Sequence, residues 1–234
     1  MIKYKRYRYP IAIISHVVWC YFKFSMSLRD VEELMFARGI ILSHETIRTW
    51  SKKYGKLYAA GIKKRKAIKG DKWHIDEMCI NISGQRYWLF RAVDQNGYEL
   101  DVLLQPRRNK KAVIRFFKKV LKNCQYVPRV IVTDKLKSYK LPCKLLLPNT
   151  QHRTHKRLNN RVENAHQPTR RRERQMIKFK SAASANQFIA THGQVRNLFN
   201  TNLYKQSSTS RRFALSESLH IWDNIAYSCE QHAA

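Results

Sequence analysis

A change of hydrophobic period near residue 71 most constrains the fold of this chain. Apolar and polar residues alternate over three consecutive stretches, 73–82, 85–94 and 98–104. A period of two is expected of β-strands that bury one face. The stretches are separated by Ser83-Gly84 and Asn96-Gly97, dipeptides that form tight turns. The sequence therefore predicts three consecutive antiparallel strands.

A helix and a buried strand are predicted after these three strands. Residues 110–121 carry apolar side chains at helical spacing, namely Val113, Phe116, Phe117 and Val120. Residues 129–133 form a short continuous apolar run, which is typical of a strand in the centre of a sheet. Three antiparallel strands, a helix and a strand that returns to the centre resemble the mixed-sheet α/β plan of ribonuclease H.

Helical spacing also characterises residues 11–56, where we predict three helices. The second helix runs from Ser27 to Arg38, Gly39 ends it as a left-handed cap, and Ser43 caps the third. A helix, a short turn and a basic helix indicate a helix-turn-helix DNA-binding domain. A plain three-helix bundle with a solvated charged face is the alternative. The third helix would present three basic side chains to DNA, Arg48, Lys52 and Lys53.

The same patterns divide the chain into segments. We predict a helix-turn-helix domain over residues 1–62 and a sheet-containing catalytic domain over 71–200. The basic run within residues 63–70 is expected to link them, and residues 201–234 to form a helical tail.

The charge of the chain indicates its partner. Lys and Arg number 46 against 16 Asp and Glu, a formal net charge of +30. Such self-repulsion is best tolerated when a polyanion neutralises it, so we expect double-stranded DNA as the partner. An acidic membrane surface fits less well, because the basic residues are spread along the chain instead of forming one amphipathic block. The scattered cysteines, odd in number, fit a reducing cytoplasm.

Acidic residues are scarce, so their positions are informative. Asp134 is the only acid between Asp101 and Glu163. It ends the apolar strand, at the edge where open α/β sheets place their ligands. Asp76 lies in the first strand, and its neighbour Glu77 points to the opposite face. A fold that sets strands one and four side by side brings Asp76 next to Asp134.

A third acid, Glu163, lies in a helix predicted to begin near Asn159. Carboxylates without a Cys or His pattern suit Mg²⁺ or Mn²⁺. Two such ions about 4 Å apart catalyse in-line phosphoryl displacement, the chemistry of nucleases and transposases. Asp76, Asp134 and Glu163 are therefore the candidate catalytic and metal-binding residues. Ordinary salt bridges are the alternative, and we expect them for the remaining acids of this region, Glu77, Asp94, Glu99 and Asp101.

Basic residues surround Glu163 in the sequence. Arginine side chains bind phosphates through forked hydrogen bonds, so this stretch is expected to hold DNA at the metals. Pro168 would kink or end the helix, so Glu163 and Arg170 are not assumed to share one helical face. The predicted DNA-binding residues here are Arg161, Arg170, Arg171, Arg172 and Arg174.

Several motifs occur in a characteristic order: H-E-T-I-R-T-W, W-H-I-D-E, Y-W-L-F-R-A-V-D, V-I-V-T-D-K and R-V-E-N-A-H-Q-P-T-R-R-R-E-R. Together they resemble the DDE transposases of insertion sequence family six, within the ribonuclease H-like superfamily that includes retroviral integrases. The resemblance implies that Asp76, Asp134 and Glu163 form the catalytic triad and that Arg170 is the basic residue seven positions after the Glu. It also implies binding of terminal inverted repeats, cleavage at the element's ends and joining of 3′ hydroxyls to target DNA, by a homo-oligomer when the ends are synapsed.

One departure from the family concerns the interval between Asp134 and Glu163, which is shorter than usual. The stretch L-P-C-K-L-L-L-P stands where a small helix would be expected, and a deletion there would be consistent with an inactive remnant. A DNA-binding protein without catalysis is therefore one alternative function. A ribonuclease H-like nuclease that cuts without joining is another.

Overall fold

The computed structural model describes residues 8–65, 70–134, 136–154, 160–176, 178–199 and 207–228. Its helices are α1 (Ile11–Lys23), α2 (Leu28–Phe36), α3 (His44–Lys64), α4 (Lys110–Cys124), α5 (Lys140–Leu146), α6 (Asn160–Gln175), α7 (Ala182–Phe199) and α8 (Ser208–Tyr227). Its strands are β1 (Lys72–Ile82), β2 (Gln85–Asp94), β3 (Glu99–Gln105), β4 (Val130–Thr133) and β5 (Gln151–Thr154). The chain packs as two units, a helical unit of residues 1–66 with 191–234 and a sheet unit of residues 67–190.

The helical unit contains the three helices that the sequence predicts near its beginning. Ser27 and Asp30 form a reciprocal capping box at the start of α2, and the Ser43 side chain accepts a hydrogen bond from the Thr46 backbone N–H at the start of α3. Gly39 has a φ of 75°, as expected of a left-handed cap. The caps and the three helices are thus confirmed, although α3 continues well beyond residue 56.

α8 also packs in the helical unit. A Cβ atom at Gly61 of α3 would lie 2.6 Å from the Ile225 side chain, so glycine permits the close approach of the two helices. Next to it the rings of Tyr58 and Trp222 meet edge to face with centroids 4.8 Å apart. The packing therefore joins the first helices with α8, whereas the sequence divides the chain at residues 62, 70 and 200. Those boundaries remain a prediction about functional domains.

The sheet unit has the strand order β3-β2-β1-β4-β5. β1, β2 and β3 pair antiparallel, whereas β4 lies parallel to β1 and to β5. The predicted mixed α/β plan, with three antiparallel strands, a helix and a returning central strand, is therefore confirmed. The short strand β5 was not expected from the sequence.

The side chains of β1 alternate between two faces of the sheet. One face, which we call the α4 face, packs Trp73 and Ile75 against Phe116 of α4. On the other, the α6 face, α6 lies against β1 and β2, with Val162 and Ala165 of α6 packed on Val93 of β2. The two faces bury separate apolar clusters, so functional groups on β1 meet different surroundings on each side.

One expectation from the sequence is wrong, and one question that the sequence left open is answered. Residues 140–146 form the helix α5, so the small helix that seemed to be missing before Glu163 is present. α6 continues from Asn160 to Gln175 with Pro168 inside it, so Glu163 and Arg170 belong to one helix. Within the described residues no helix is long and apolar enough to cross a membrane.

Candidate active site

Asp76 and Asp134 lie on neighbouring parallel strands. The registered pairs of β1 and β4 include Lys72 with Val130 and His74 with Val132. Asp76 and Asp134 have the same separation along the chain as these pairs, so continuing the register sets them level with each other. Their side chains are partly exposed, by 18% and 31% respectively. The register of the two strands therefore places these two predicted residues next to each other, and solvent reaches both.

On the α4 face, both oxygens of Glu77 are occupied by hydrogen bonds. Arg108 donates its Nε–H to one oxygen, and the Tyr139 hydroxyl donates to the other. The Glu77 side chain is fully buried. Burial raises the pKa of the Glu77 carboxyl, while the hydrogen bonds from Tyr139 and Arg108 act in the opposite direction. The salt bridge expected for Glu77 is confirmed.

Arg108 also reaches Asp134. Its Nη2 donates to Oδ2 of Asp134 at 3.2 Å, and the guanidinium lies 4.9 Å from the ring centroid of Trp88. The other carboxylate oxygen, Oδ1, accepts the Leu136 backbone N–H at 3.0 Å. Asp134 is thus held in orientation through both of its oxygens.

The pKa of the Tyr139 hydroxyl shows that three carboxylates lie near it. Burial raises the pKa of its hydroxyl well above the ordinary value, and the charges of Glu77, Asp76 and Asp134 raise it further. A single buried hydroxyl therefore lies within electrostatic reach of all three carboxylates, although Asp76 and Glu77 point to opposite faces of β1.

On the α6 face, His166 approaches Asp76. The Nε2 atom of His166 lies 3.6 Å from Oδ2 of Asp76. Burial lowers the pKa of the imidazole, and the neighbouring charge of Arg91 lowers it further, so the ring is neutral at neutral pH. Arg91 Nη1 lies 3.5 Å from the other ring nitrogen, Nδ1. Because a guanidinium can only donate, Nδ1 accepts, and Nε2 carries the proton that faces Asp76.

The third acid of the predicted triad lies in α6. Glu163 precedes His166 by three residues in this helix, which packs against β1 and β2. Its side chain lies outside the part of the chain that the structure describes. No cluster of three metal-binding side chains occurs among the described residues, a set that does not include the Glu163 carboxylate.

The other acids of the sheet unit have internal partners. Glu99 pairs with Arg91 at 3.0 Å and Asp101 with Lys119 at 2.9 Å, as expected of salt bridges. Asp94 differs, because its buried carboxylate accepts backbone N–H groups of residues 70, 96 and 98 and so closes the turn between β2 and β3. These three acids are therefore structural.

The predicted DNA-binding residues are not equivalent in the structure. The exposed ones are Arg48, Lys52 and Lys53 on α3 and Arg170, Arg171 and Arg174 on α6. Arg172 is only 1% exposed, and its guanidinium lies 5.5 Å from the ring centroid of Phe188. Burial beside Phe188 removes Arg172 from the set that can contact DNA. The Arg161 side chain lies outside the described residues.

Sequence reasoning missed four residues around the acids: Arg91, Arg108, Tyr139 and His166. A signal existed for Arg91, since an arginine within an otherwise apolar strand must be paired when buried. The sequence contains no signal for Arg108, because it lies in a run of basic residues, P-R-R-N-K-K, in which nothing distinguishes it from its neighbours.

Comparisons with known proteins show which family the chain resembles. A transposase family model described as a DDE domain matches residues 70–202. The transposase for insertion sequence element IS257 in transposon Tn4003 of Staphylococcus aureus is 29% identical over 70% of this chain and 74% of its own length. The transposase for the element IS431mec of the same species, strain Mu50, shows the same identity and coverage.

The matched family model and the transposase relatives define a DDE enzyme of the transposase class. The chain belongs to the DDE transposases of insertion sequence family six. Among solved structures, the HTLV-2 integrase catalytic core domain in complex with magnesium aligns with 63% of this chain and 98% of its own, at 14% identity and a TM-score of 0.45.

Proposed function

We propose that this transposase binds the terminal inverted repeats of its element, cuts DNA there with the help of divalent metal ions, and joins the 3′ hydroxyls to target DNA. The observation that carries the proposal is the level placement of Asp76 and Asp134 on adjacent parallel strands, both partly exposed. Two carboxylates placed side by side repel each other, and a bound cation removes this repulsion.

The residues present fit a pair of Mg²⁺ or Mn²⁺ ions. Asp76 and Asp134 supply hard carboxylate oxygens, and Glu163 is the third donor in the proposal. When bound, two such ions activate the attacking oxygen and stabilise the leaving oxygen of an in-line displacement. Asp134 already has a fixed orientation through Arg108 and the Leu136 N–H, which supports its role as a ligand.

The protein's own groups would prepare this site. Arg108 and Glu77 fix Asp134 from the α4 face, and His166 holds an N–H toward Asp76 from the α6 face. Side chains that are locked by a second set of contacts position ligands to within a fraction of an ångström. The exposed Arg170 lies seven residues beyond Glu163 in the same helix, where it would bring a phosphate toward the acids.

In this proposal α3 recognises the DNA sequence at the element's ends. Its exposed residues Arg48, Lys52 and Lys53 follow the capped start of the helix, while Ile47 and Trp50 are buried in the helical unit. A basic helix presented after a short turn fits the major groove. Arg170, Arg171 and Arg174 of α6 would add sequence-independent contacts to phosphates.

The function is tested with the full chain and a duplex that ends in the element's terminal repeat. We expect strand cleavage and joining to a target duplex with Mg²⁺ or Mn²⁺ and neither reaction with chelator. A scrambled repeat is the control. Cleavage without joining would identify a nuclease, and binding without cleavage a DNA-binding remnant, so either outcome would overturn the proposal.

End recognition is tested separately by exchanging Arg48 and Lys52 for alanine together. Binding of the terminal repeat should be lost, while binding of the scrambled duplex at low salt changes little. The logarithm of affinity should also fall with the logarithm of salt concentration, by about 0.9 per phosphate neutralised. Unchanged end binding in the double variant would assign recognition elsewhere.

A further inference from the structure

Arg91 is a buried arginine beside the acids, with 1% of its surface exposed. It lies in β2 directly opposite Asp76 of β1. Residues that face each other in an antiparallel pair project to the same side of the sheet, so Arg91 lies on the α6 face beside Asp76. Glu99 of β3 balances its charge at 3.0 Å from Nε.

Arg91 binds α6 beside Pro168. Proline has no N–H, so the carbonyl of Asn164, four residues earlier, lacks its helical partner and this turn of α6 has one helical hydrogen bond fewer. Arg91 donates from Nη1 to the Ala165 carbonyl and from Nη2 to the Thr169 hydroxyl, the latter at 2.7 Å. Its two nitrogens thus bind residues on either side of Pro168.

The same guanidinium connects three parts of the candidate active site. It contacts Nδ1 of His166, whose Nε2 faces Asp76, and it fixes the helix that contains Glu163 less than one turn before Ala165 and His166. A salt bridge with Glu99 anchors Arg91 itself to the neighbouring strand. The strand that holds Asp76 and the helix that holds Glu163 are therefore tied to one rigid group.

We propose that Arg91 is a positioning residue for the transposition reaction. It binds α6 on both sides of Pro168 and so fixes the segment of the helix that contains Glu163 against the strand that contains Asp76. The inference rests on the proposed function, because it assumes that these acids bind metal together. Mg²⁺ demands near-ideal octahedral geometry, so a carboxylate that is displaced by a fraction of an ångström binds it poorly.

Pro168→Ala separates positioning from mere stability. Alanine restores the helical N–H and is a better helix former, so the variant should unfold at the same or a higher temperature. With the helical N–H restored, the turn should adopt regular helical geometry and shift the Ala165 carbonyl and the Thr169 hydroxyl relative to Arg91. We expect Mn²⁺ affinity, measured by electron paramagnetic resonance, and the cleavage rate both to fall by about tenfold to a hundredfold. A structural role alone would leave both unchanged or improved.

Two further variants act on the same contact. Thr169→Val keeps the shape of the side chain and the Arg91–Glu99 pair but removes one acceptor, so a smaller loss of Mn²⁺ affinity is expected. Arg91→Lys keeps the charge but cannot bind both sides of Pro168, and it should behave like Pro168→Ala. Gln167→Ala changes an exposed residue in the same turn and is the matched control.

The outcomes distinguish the two proposals. If the parent protein cleaves its ends and Pro168→Ala and Arg91→Lys keep full Mn²⁺ affinity, the positioning role is overturned and the proposed function stands. If the parent binds Mn²⁺ without cleaving, and the variants bind it more weakly, positioning stands and the proposed function fails. A parent protein that binds no Mn²⁺ overturns both.

Discussion

The adjacent carboxylates of Asp76 and Glu77, on opposite faces of β1, differ in hydrogen bonding and exposure. On the α4 face, both oxygens of Glu77 accept hydrogen bonds from Arg108 and Tyr139. On the α6 face, Asp76 is approached by the N–H of a neutral His166 at a distance longer than a hydrogen bond, and part of its surface is exposed. An acid whose oxygens are already saturated must break contacts to bind a cation, whereas Asp76 need not.

The comparison also shows two ways of holding the acids. Arg91 is buried and fixes a helix, while Arg108 is 31% exposed and touches the carboxylate of Asp134 directly. A buried arginine that is bound to several partners can move little, whereas a partly exposed one can exchange its partner for a phosphate or for water. The α6 face is therefore the rigid side of the site and the α4 face the adaptable one.

The largest expected effect is that of Asp134→Ala. Removing this carboxylate takes away a proposed metal ligand, so Mg²⁺-dependent cleavage and joining should fall by several orders of magnitude. Binding of the terminal repeat should persist or strengthen slightly, because the site becomes less negative toward phosphate. Cleavage of a labelled repeat duplex and a gel-shift titration measure the two effects.

Asp76→Ala and Glu163→Ala should match Asp134→Ala, and each double variant should lose little more, because groups that act as a unit are not additive. Full joining by Asp134→Ala would show that the metal-triad mechanism is wrong. The protein would then be better described as a DNA-binding remnant that binds the element's ends without catalysis.

Glu77→Gln tests the difference between the two faces of β1 directly. We expect cleavage to fall about tenfold to a hundredfold, because Arg108 and Tyr139 both lose a charged partner and Glu77 is the direct neighbour of Asp76 in β1. The free energy of unfolding should fall by about 1–3 kcal/mol, since the amide satisfies the buried donors less completely. Cleavage as low as in Asp76→Ala would instead make Glu77 a metal ligand and remove the distinction.

A smaller effect is expected for Arg108→Gln. Asp134 keeps its hydrogen bond from the Leu136 N–H, so the Mg²⁺ concentration for half-maximal cleavage should rise by about tenfold at most. Arg107→Gln, an exposed neighbour of similar charge, is the control. A loss as severe as that of Arg91→Lys would mean that the α4 face is no more adaptable than the α6 face.

The smallest expected effect is a pH dependence of opposite sign on the two faces. The pKa of His166 is lowered from 6.5, so its contribution to stability is present above pH 6.5 and is lost as the pH falls through the lowered value. The pKa of Glu77 is raised from 4.5, so its contribution is present below pH 4.5 and is lost as the pH rises through the raised value.

Urea unfolding between pH 4 and 7 compares the parent with His166→Gln and Glu77→Gln. His16 and His152 also have lowered pKa values, so only differences between parent and variant are informative. His166→Gln should lessen the loss of stability as the pH falls. Glu77→Gln should remove the stability that the parent gains from Glu77 as the pH falls. Differences of the same sign would contradict the contrast between the faces.

The sequence predicts the strands and α4 well because local period and turn dipeptides decide them. It misses α5, since Pro142 looks like a helix breaker, although in the first turn of a helix its missing N–H costs little. Strand β5 is short and polar, and only its pairing with β4 makes it a strand.

The acids at the site could be identified from their scarcity, but the groups that hold them could not. Pro168 remains inside α6 in a structure where Arg91, from a distant strand, binds the backbone beside it. Nothing near Pro168 in the sequence indicates that contact. The burial of Arg172 among otherwise exposed arginines likewise depends on Phe188, a partner from another helix.

The packing of α8 against α3 has a consequence for biosynthesis. Residues 67–190 are contiguous, so the ribosome delivers every strand of the sheet unit before it delivers α8. Helices α1 to α3 are synthesised first, but Gly61 and Tyr58 of α3 are covered only when Ile225 and Trp222 of α8 have been synthesised. The order of completion is thus the reverse of the order of synthesis, and a nascent or truncated chain would present its basic helix before the apolar surface beneath it is closed.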